Sequence, residues 1–408
     1  MKITMVIPTY WGRRKSEGRR KSDAIYDHPT PLDENGTLGR LLESLSILDN
    51  KKFNLVILGV STAEDIQEEV EKKVSKIIKS KSPCIQTQLF SVSNLKIIHN
   101  YLNGKNLDSF IPLLQLKGYP NVRNMCLFLP HLFDSEVVVL IDDDEVFEDS
   151  KFMNKVQEFI GEKRRNESIL AVAGYYINPD NDFYLNKESH PWMTYWNKND
   201  CMNRAFKKII DKEPRLKETP FAFGGNLVIH RKLFTKVPFD PHITRGEDID
   251  FLINSRMFGY KIYLDNQLSI KHLAPPKTHP AWCQMREDIM RFIFQRKKLD
   301  CQKPAPRMVK VKSEELDPYP GEFLKEDLKE HIFKSNQMLA IDYLSCGDEE
   351  GARECMNNIS IAKTMAELQI NPFKNLLILQ KKWKDLMDLF SSEKTAKEVC
   401  DLLCIDRK

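Results

Sequence analysis

Apolar positions along this chain follow two spacings. Residues 2–8 read as a first buried strand, stopped by Pro8. Residues 53–60 read as a second, with a β-α pair around 88–92 and a weaker strand at 95–99. Val137 to Ile141 are five apolar, mostly β-branched residues in a row, the pattern of a strand buried on both faces. Further strands are predicted at 169–176, at 221–230 with a Gly-Gly interruption, at 260–264 and at 268–272. Helical spacing lies between them. Thr37 can cap a helix with Leu38, Leu41, Leu42, Leu45 and Leu48 on one face. A long charged helix begins near 61–65 and carries Val70, Val74, Ile77 and Ile78. Short or moderate helices are predicted at 119–130, from 151 to about 164, and after Thr244. Strands alternating with helices indicate an α/β fold with a doubly wound, mainly parallel sheet.

The pattern changes near Cys301. Pro304, Pro306, Pro318 and Pro320 mark a linker, and the remainder of the chain reads as helix: 323–344, 348–368, 372–390 and a short 395–403. The expected organisation is a catalytic domain over 1–300, a Pro-rich linker over 301–321 and a helical appendage over 322–408. Phe373, Leu376, Leu377, Trp383, Met387 and Phe390 share one face of that appendage. This face is expected to pack within it or in a homo-oligomer contact, with peripheral membrane docking as the alternative.

Composition narrows the classes. A net charge of +4 carries no global nucleic-acid signature, so any basic function must be local. No run approaches the length of a membrane span, and the N-terminus is too short in apolar length for a signal peptide. The nine cysteines form no C-x-x-C pair; an odd, scattered set points to reduced thiols and a cytoplasmic protein. The loop over 12–36 holds two basic clusters, Arg13 to Lys15 and Arg19 to Lys21, which either contact a phosphate or form a solvated loop.

Three consecutive carboxylates, Asp142, Asp143 and Asp144, come directly after the 137–141 strand. Ligands of open α/β sheets sit beyond the carboxyl ends of the strands. Carboxylates crowded there repel one another and call for a divalent cation or strong donors, unless they only form an acidic turn before the next helix. Glu247, Asp248 and Asp250 open another helix, where acidic residues also suit the macrodipole. His272 closes the last strand, and residues 178–220 are read as irregular and rich in aromatic rings, Trp196 among them.

In this order, residues 6–10, 122–124, 141–144, 223–226, 246–250, 259–262 and His272 resemble nucleotide-sugar glycosyltransferases of the glycosyltransferase-A fold, family-2-like branch. The match covers roughly residues 2 to 272. The resemblance implies transfer of a sugar from a nucleotide-diphosphate sugar to an acceptor hydroxyl, inverting, or retaining in an alternative. It implies a Mn²⁺ or Mg²⁺ ion held by Asp142, Asp144 and His272. It implies donor contacts from Pro8, Thr9, Tyr10, Arg123, Asn124, Asp142 and Asp143, with Asp65 as a candidate reader of the base. On the acceptor side it implies Gly224, Gly225, Asn226 and Trp196, with Asp248 as general base and Glu247 binding the acceptor. A helix N-terminus is expected to hold the Asp248 pKa low, with neighbouring Glu247 or burial partly offsetting it. A nucleotidyltransferase is the rival enzyme, but its Gly-rich basic signature does not stand after the first strand. A catalytically silent binding module is the rival from outside enzymes.

Overall fold

The computed structural model describes residues 1–81, 85–164, 167–185, 189–276, 279–367 and 369–404. One mixed, mainly parallel sheet runs through the molecule. Its strands lie in the order Leu216–Glu218, Tyr263–His272, Ala171–Ile177, Asn226–His230, Val137–Ile141, Ile3–Gly12, Asn54–Ser61 and Thr87–Phe90. The last four are mutually parallel, as are Tyr263–His272 and Ala171–Ile177. Asn226–His230 runs antiparallel between those halves.

Two-residue periodicity explains why helices cover both faces. Ile3, Met5, Ile7, Val137, Val139 and Ile141 face the helices Leu38–Ser44, Gln67–Lys81 and Phe152–Phe159. Val6, Val138 and Leu140 face Val92–Gly104, Tyr119–Leu132, Lys198–Ile209 and Glu247–Met257. The sheet is therefore doubly wound, as its apolar pattern predicts.

Several local expectations change. The first strand continues through Pro8 to Gly12, because its pairing with Val137–Ile141 ends at Val6 and proline is tolerated where one side lacks a partner. Residues 95–99 belong to the helix Val92–Gly104, whose first turn is closed by the Asn94 side chain accepting from the Ser91 N–H at 3.0 Å. The strand expected from 221 starts only at Asn226, so Gly224 and Gly225 lie in the turn before it. Within the supposedly irregular 178–220 stretch stands the helix Lys198–Ile209.

The C-terminal helices contribute to the main core. Leu328–Ser345, Glu349–Glu367 and Pro372–Ser391 share one continuous core with the sheet helices and with the helix Ala281–Asp300. Trp383 is fully buried, and its indole N–H donates to the Phe234 carbonyl at 2.8 Å. The ring of Phe390 meets Phe128 edge-on at 5.0 Å. The face expected to pack within an appendage or in a homo-oligomer contact packs largely against Tyr119–Leu132. Within the Pro-rich stretch 301–321, Val311, Leu316 and Tyr319 are buried. Residue 368, the expected end of one helix, lies outside the described residues. Among those described, no helix is long and apolar enough to cross a membrane.

Candidate active site

Asp142, Asp143 and Asp144 emerge where the Val137–Ile141 strand ends, beside the carboxyl end of Ile3–Gly12. Each has a different partner. The Thr9 hydroxyl donates to Asp143 Oδ2 at 2.5 Å, and the Trp11 indole N–H in turn donates to the Thr9 oxygen at 2.9 Å. Asp144 sits 3.2 Å from His272 Nε2, and the His272 ring stacks on Tyr176 at 4.7 Å. Asp142 Oδ1 lies 2.8 Å from an Arg123 terminal nitrogen, but off the N–H direction, so this buried oxygen has no hydrogen-bond donor. Burial and the charge of Asp144 push Asp143 up to about 8. Burial acts on Asp144 too, yet the His272 imidazole outweighs it and holds that carboxyl below its ordinary value.

A fourth carboxylate, Glu145, completes the turn. Its side chain accepts the Asp142 N–H at 3.1 Å, while Oε1 is buried without a hydrogen-bond partner. Burial, then the charges of Asp142 and Asp144, raise its pKa well above the usual range. Gly225 makes this packing feasible: a Cβ there would stand 2.2 Å from Glu145 Oε1 and 2.5 Å from Asp142 Oδ2. Its N–H donates to the Tyr176 hydroxyl at 2.8 Å. A Cβ on Gly224 would meet the Arg123 guanidinium at 2.8 Å. The two glycines thus admit the site's own charged side chains.

Arg123 links the strand-end carboxylates to the helix Glu247–Met257. Its side chain is 4% exposed and lies 2.8 Å from Asp142 and 3.2 Å from Glu247. Burial raises Glu247 to about 7 despite that arginine. Asp248 accepts from the Gly224 N–H at 3.1 Å and the Ile249 N–H at 2.7 Å. Burial nevertheless raises its pKa above the ordinary aspartate value, opposite to the helix-dipole expectation. Desolvation outweighs the two N–H donors and the charges of Arg291 and Arg123.

That cavity, about 1440 Å³, takes in Tyr10, Arg123, Asp142 to Asp144, Gly224, Glu247, Asp248 and His272 together. Trp196 lines it as well, although the ring is only 4% exposed and packs on Phe292 and Phe323. Tyr10 forms a ring cluster with Tyr26 and Tyr119, centroids 4.4 and 5.2 Å away.

Other expected residues are placed elsewhere. Asn124 is fully buried, with its amide exchanging two hydrogen bonds with the Phe239 backbone. Asn226 is also fully buried and donates to the Tyr175 and Leu268 carbonyls, tying three strands together. Pro8 is buried within its strand. Asp250 forms a buried cluster with Lys298, Asp240 and Asn254. Asp65 is held by both terminal nitrogens of Arg13 at 2.7 Å, and also by Arg20. Other basic residues of the loop also have acidic partners: Arg14 pairs with Glu69 of the helix Gln67–Lys81, and Lys15 with Glu34. Glu145, Tyr176, Lys198, Arg245 and Arg291 were missed. Glu145 stands next to the Asp triplet, a signal available in the sequence; the other four become visible only when distant segments meet.

Asp142, Asp144 and His272 supply oxygen and imidazole donors suited to a divalent cation, and the donorless Asp142 oxygen fits that chemistry. Among the described residues, however, no three His, Cys, Asp or Glu side chains cluster tightly enough to enclose one.

No family model and no curated protein sequence matches the chain. Among solved structures it is similar to the mannosyltransferase PcManGT from Pyrobaculum calidifontis, in complex with GDP-Man and Mn²⁺. That likeness has 12% identity and a TM-score of 0.47, over 96% of this chain and 88% of the other. It is also similar to glucosyl-3-phosphoglycerate synthase from Mycobacterium tuberculosis, in complex with Mg²⁺ and UDP. Here identity is 13% and the TM-score 0.35, over 71% and 77% of the two chains. At these identities and TM-scores the activity has to be argued from the side chains themselves.

Proposed function

We propose that the chain is a glycosyltransferase that moves a sugar from a nucleotide-diphosphate sugar to an acceptor hydroxyl with inversion. The observation that carries this reading is Arg123. It ties Asp142 at the end of the central strand to Glu247 at the start of a helix, so that an ion-and-phosphate end and a carboxylate-base end face one cavity.

Donor phosphates would lie against Asp142 to Asp144, where Asp142, Asp144 and His272 are the side chains that would hold Mn²⁺ or Mg²⁺. Such an ion would supply Lewis-acid stabilisation of the charge that develops on the leaving diphosphate. A site of that kind needs no enclosing protein cage. Thr9 holds Asp143, and the stacked Tyr176 orients His272. Asp248 takes the proton from the acceptor hydroxyl as its oxygen bonds to the anomeric carbon. The carbon–oxygen bond to the diphosphate breaks, and its electron pair leaves with the diphosphate. Burial makes Asp248 a stronger base than an exposed aspartate, provided it is ionised. Glu247 remains paired with Arg123 and positions the acceptor.

The test is calorimetric titration of UDP and GDP into the full chain with Mn²⁺ and after chelation. The expected result is nucleotide binding that weakens at least tenfold with chelator and in Asp144→Asn. Equal binding under all three conditions removes the ion from this reading.

A further inference from the structure

The cavity that Asp248 lines also holds a group of cations to which the proposed reaction assigns no part. Three cations line it: Lys198 from the helix Lys198–Ile209, Arg245 from the turn before Glu247, and Arg291 from the helix Ala281–Asp300. They converge on one buried carboxylate, Asp288. Lys198 and Asp288 form an ion pair, and an Arg291 terminal nitrogen lies 2.8 Å from Asp288 Oδ1. Arg245 pairs with Asp27 at 3.0 Å. Three positive charges thus face Asp288 and Asp27, leaving one in excess among these five groups.

A second observation points at a ligand. The Arg291 side chain is 5% exposed, its Nε is buried without a hydrogen-bond partner, and it lines the cavity. It is fixed there by the Tyr319 hydroxyl at 2.8 Å and by Gly246, where a Cβ would stand 1.9 Å from the guanidinium. Burial lowers the Lys198 pKa to about 8; Asp288 opposes this, but Arg245 and Arg291 push it down further. The Arg291 Nε–H therefore keeps an unfilled donor capacity among three cations, which an incoming anion would satisfy.

We infer that Lys198, Arg245 and Arg291 form an anion subsite next to Asp248, which takes the phosphate or carboxylate group of the acceptor. The inference rests on the glycosyltransferase reading for calling the ligand an acceptor, but not for the subsite itself. An anionic group held here would bring a neighbouring hydroxyl of the same molecule to Asp248, and neutral sugars would lack that anchor.

The experiment titrates inorganic phosphate, methyl phosphate and malonate into the full chain, with UDP or GDP titrated separately. Lys198→Gln and Arg245→Gln are compared with wild type after circular dichroism confirms folding. The expected result is binding of at least one anion, weakened ~10-fold in each variant, the scale of one lost charge-assisted hydrogen bond, with nucleotide affinity unchanged. Preference for methyl phosphate assigns a phosphate ester, and preference for malonate a carboxylate. The subsite is overturned if no anion binds wild type, or if anion binding is unchanged in both variants. It is also overturned if nucleotide binding falls in parallel, because the cations then serve the donor. Anion binding with no nucleotide binding would leave the subsite standing and defeat the glycosyltransferase reading instead.

Discussion

Arg123→Met removes the cation that joins the two ends of the site while nearly keeping the volume. The side chain it replaces is 4% exposed and lies 2.8 Å from Asp142 and 3.2 Å from Glu247. Removing one partner of a buried ion pair typically destabilises by about 3–5 kcal/mol, because the remaining charge is left uncompensated. Here the remaining groups can take up protons instead, at about 1.4 kcal/mol per unit of pKa shift. Glu247 already titrates at about 7, and Asp142 also lies above its ordinary value through burial. The loss is therefore expected at the lower end, about 3 kcal/mol at pH 8. Its pH dependence has a definite sign. Without Arg123 the folded-state pKa values of both carboxyls rise further above their unfolded values. The folded state then binds more protons than the unfolded one, and stability falls as pH rises from the unfolded pKa through the folded one. The deficit of Arg123→Met should accordingly shrink towards pH 5. Urea unfolding of variant and wild type at pH 5 and pH 8 measures it. A deficit that is equal at both pH values, or larger at pH 5, refutes the bridging role.

Asp248→Asn should lower kcat by ~10²-fold or more, as loss of a general base does, with nucleotide affinity nearly unchanged. In wild type the acid limb of kcat/KM should lie above the ordinary aspartate range, since the base works ionised and burial raises its pKa; this limb should disappear in the variant. Gly225→Ala forces a methyl to within 2.2 Å of Glu145 and 2.5 Å of Asp142, and should destabilise by about 1–3 kcal/mol while weakening Mn²⁺-dependent nucleotide binding in calorimetry. Trp383→Ala should cost about 3–5 kcal/mol in equilibrium unfolding, because that fully buried ring belongs to the main core; an unchanged transition would support an independent helical appendage.

Features carried by short spacing were legible in the sequence. The apolar run from Val137 to Ile141 places the strand, and the adjacent aspartates place the site at its end. Glu247 and Asp248 are likewise neighbours at a helix start, as expected. Where the reading erred, distant segments decided the outcome. Asn124 lies one residue from Arg123 on the same helix, yet points to the Phe239 backbone while Arg123 points into the cavity. Residues 95–99 are apolar enough for a strand, but the Ser91–Asn94 turn commits them to a helix. The apolar stripe containing Trp383 was visible, but its partner, Phe234, stands 149 residues earlier. For Asp248 burial does more than partly offset the helix N-terminus: the N-terminus is a local feature, whereas burial depends on everything packed around it.

Sugar transfer is tested most directly by incubating the full chain with Mn²⁺, a panel of UDP-, GDP-, dTDP- and ADP-sugars and a set of hydroxyl acceptors. The acceptors are both neutral and bearing phosphate or carboxylate, and released nucleoside diphosphate is measured by chromatography. The expected result is release from at least one donor, abolished by chelation and in Asp144→Asn. Release from none, or release that survives in Asp144→Asn, would contradict the assignment.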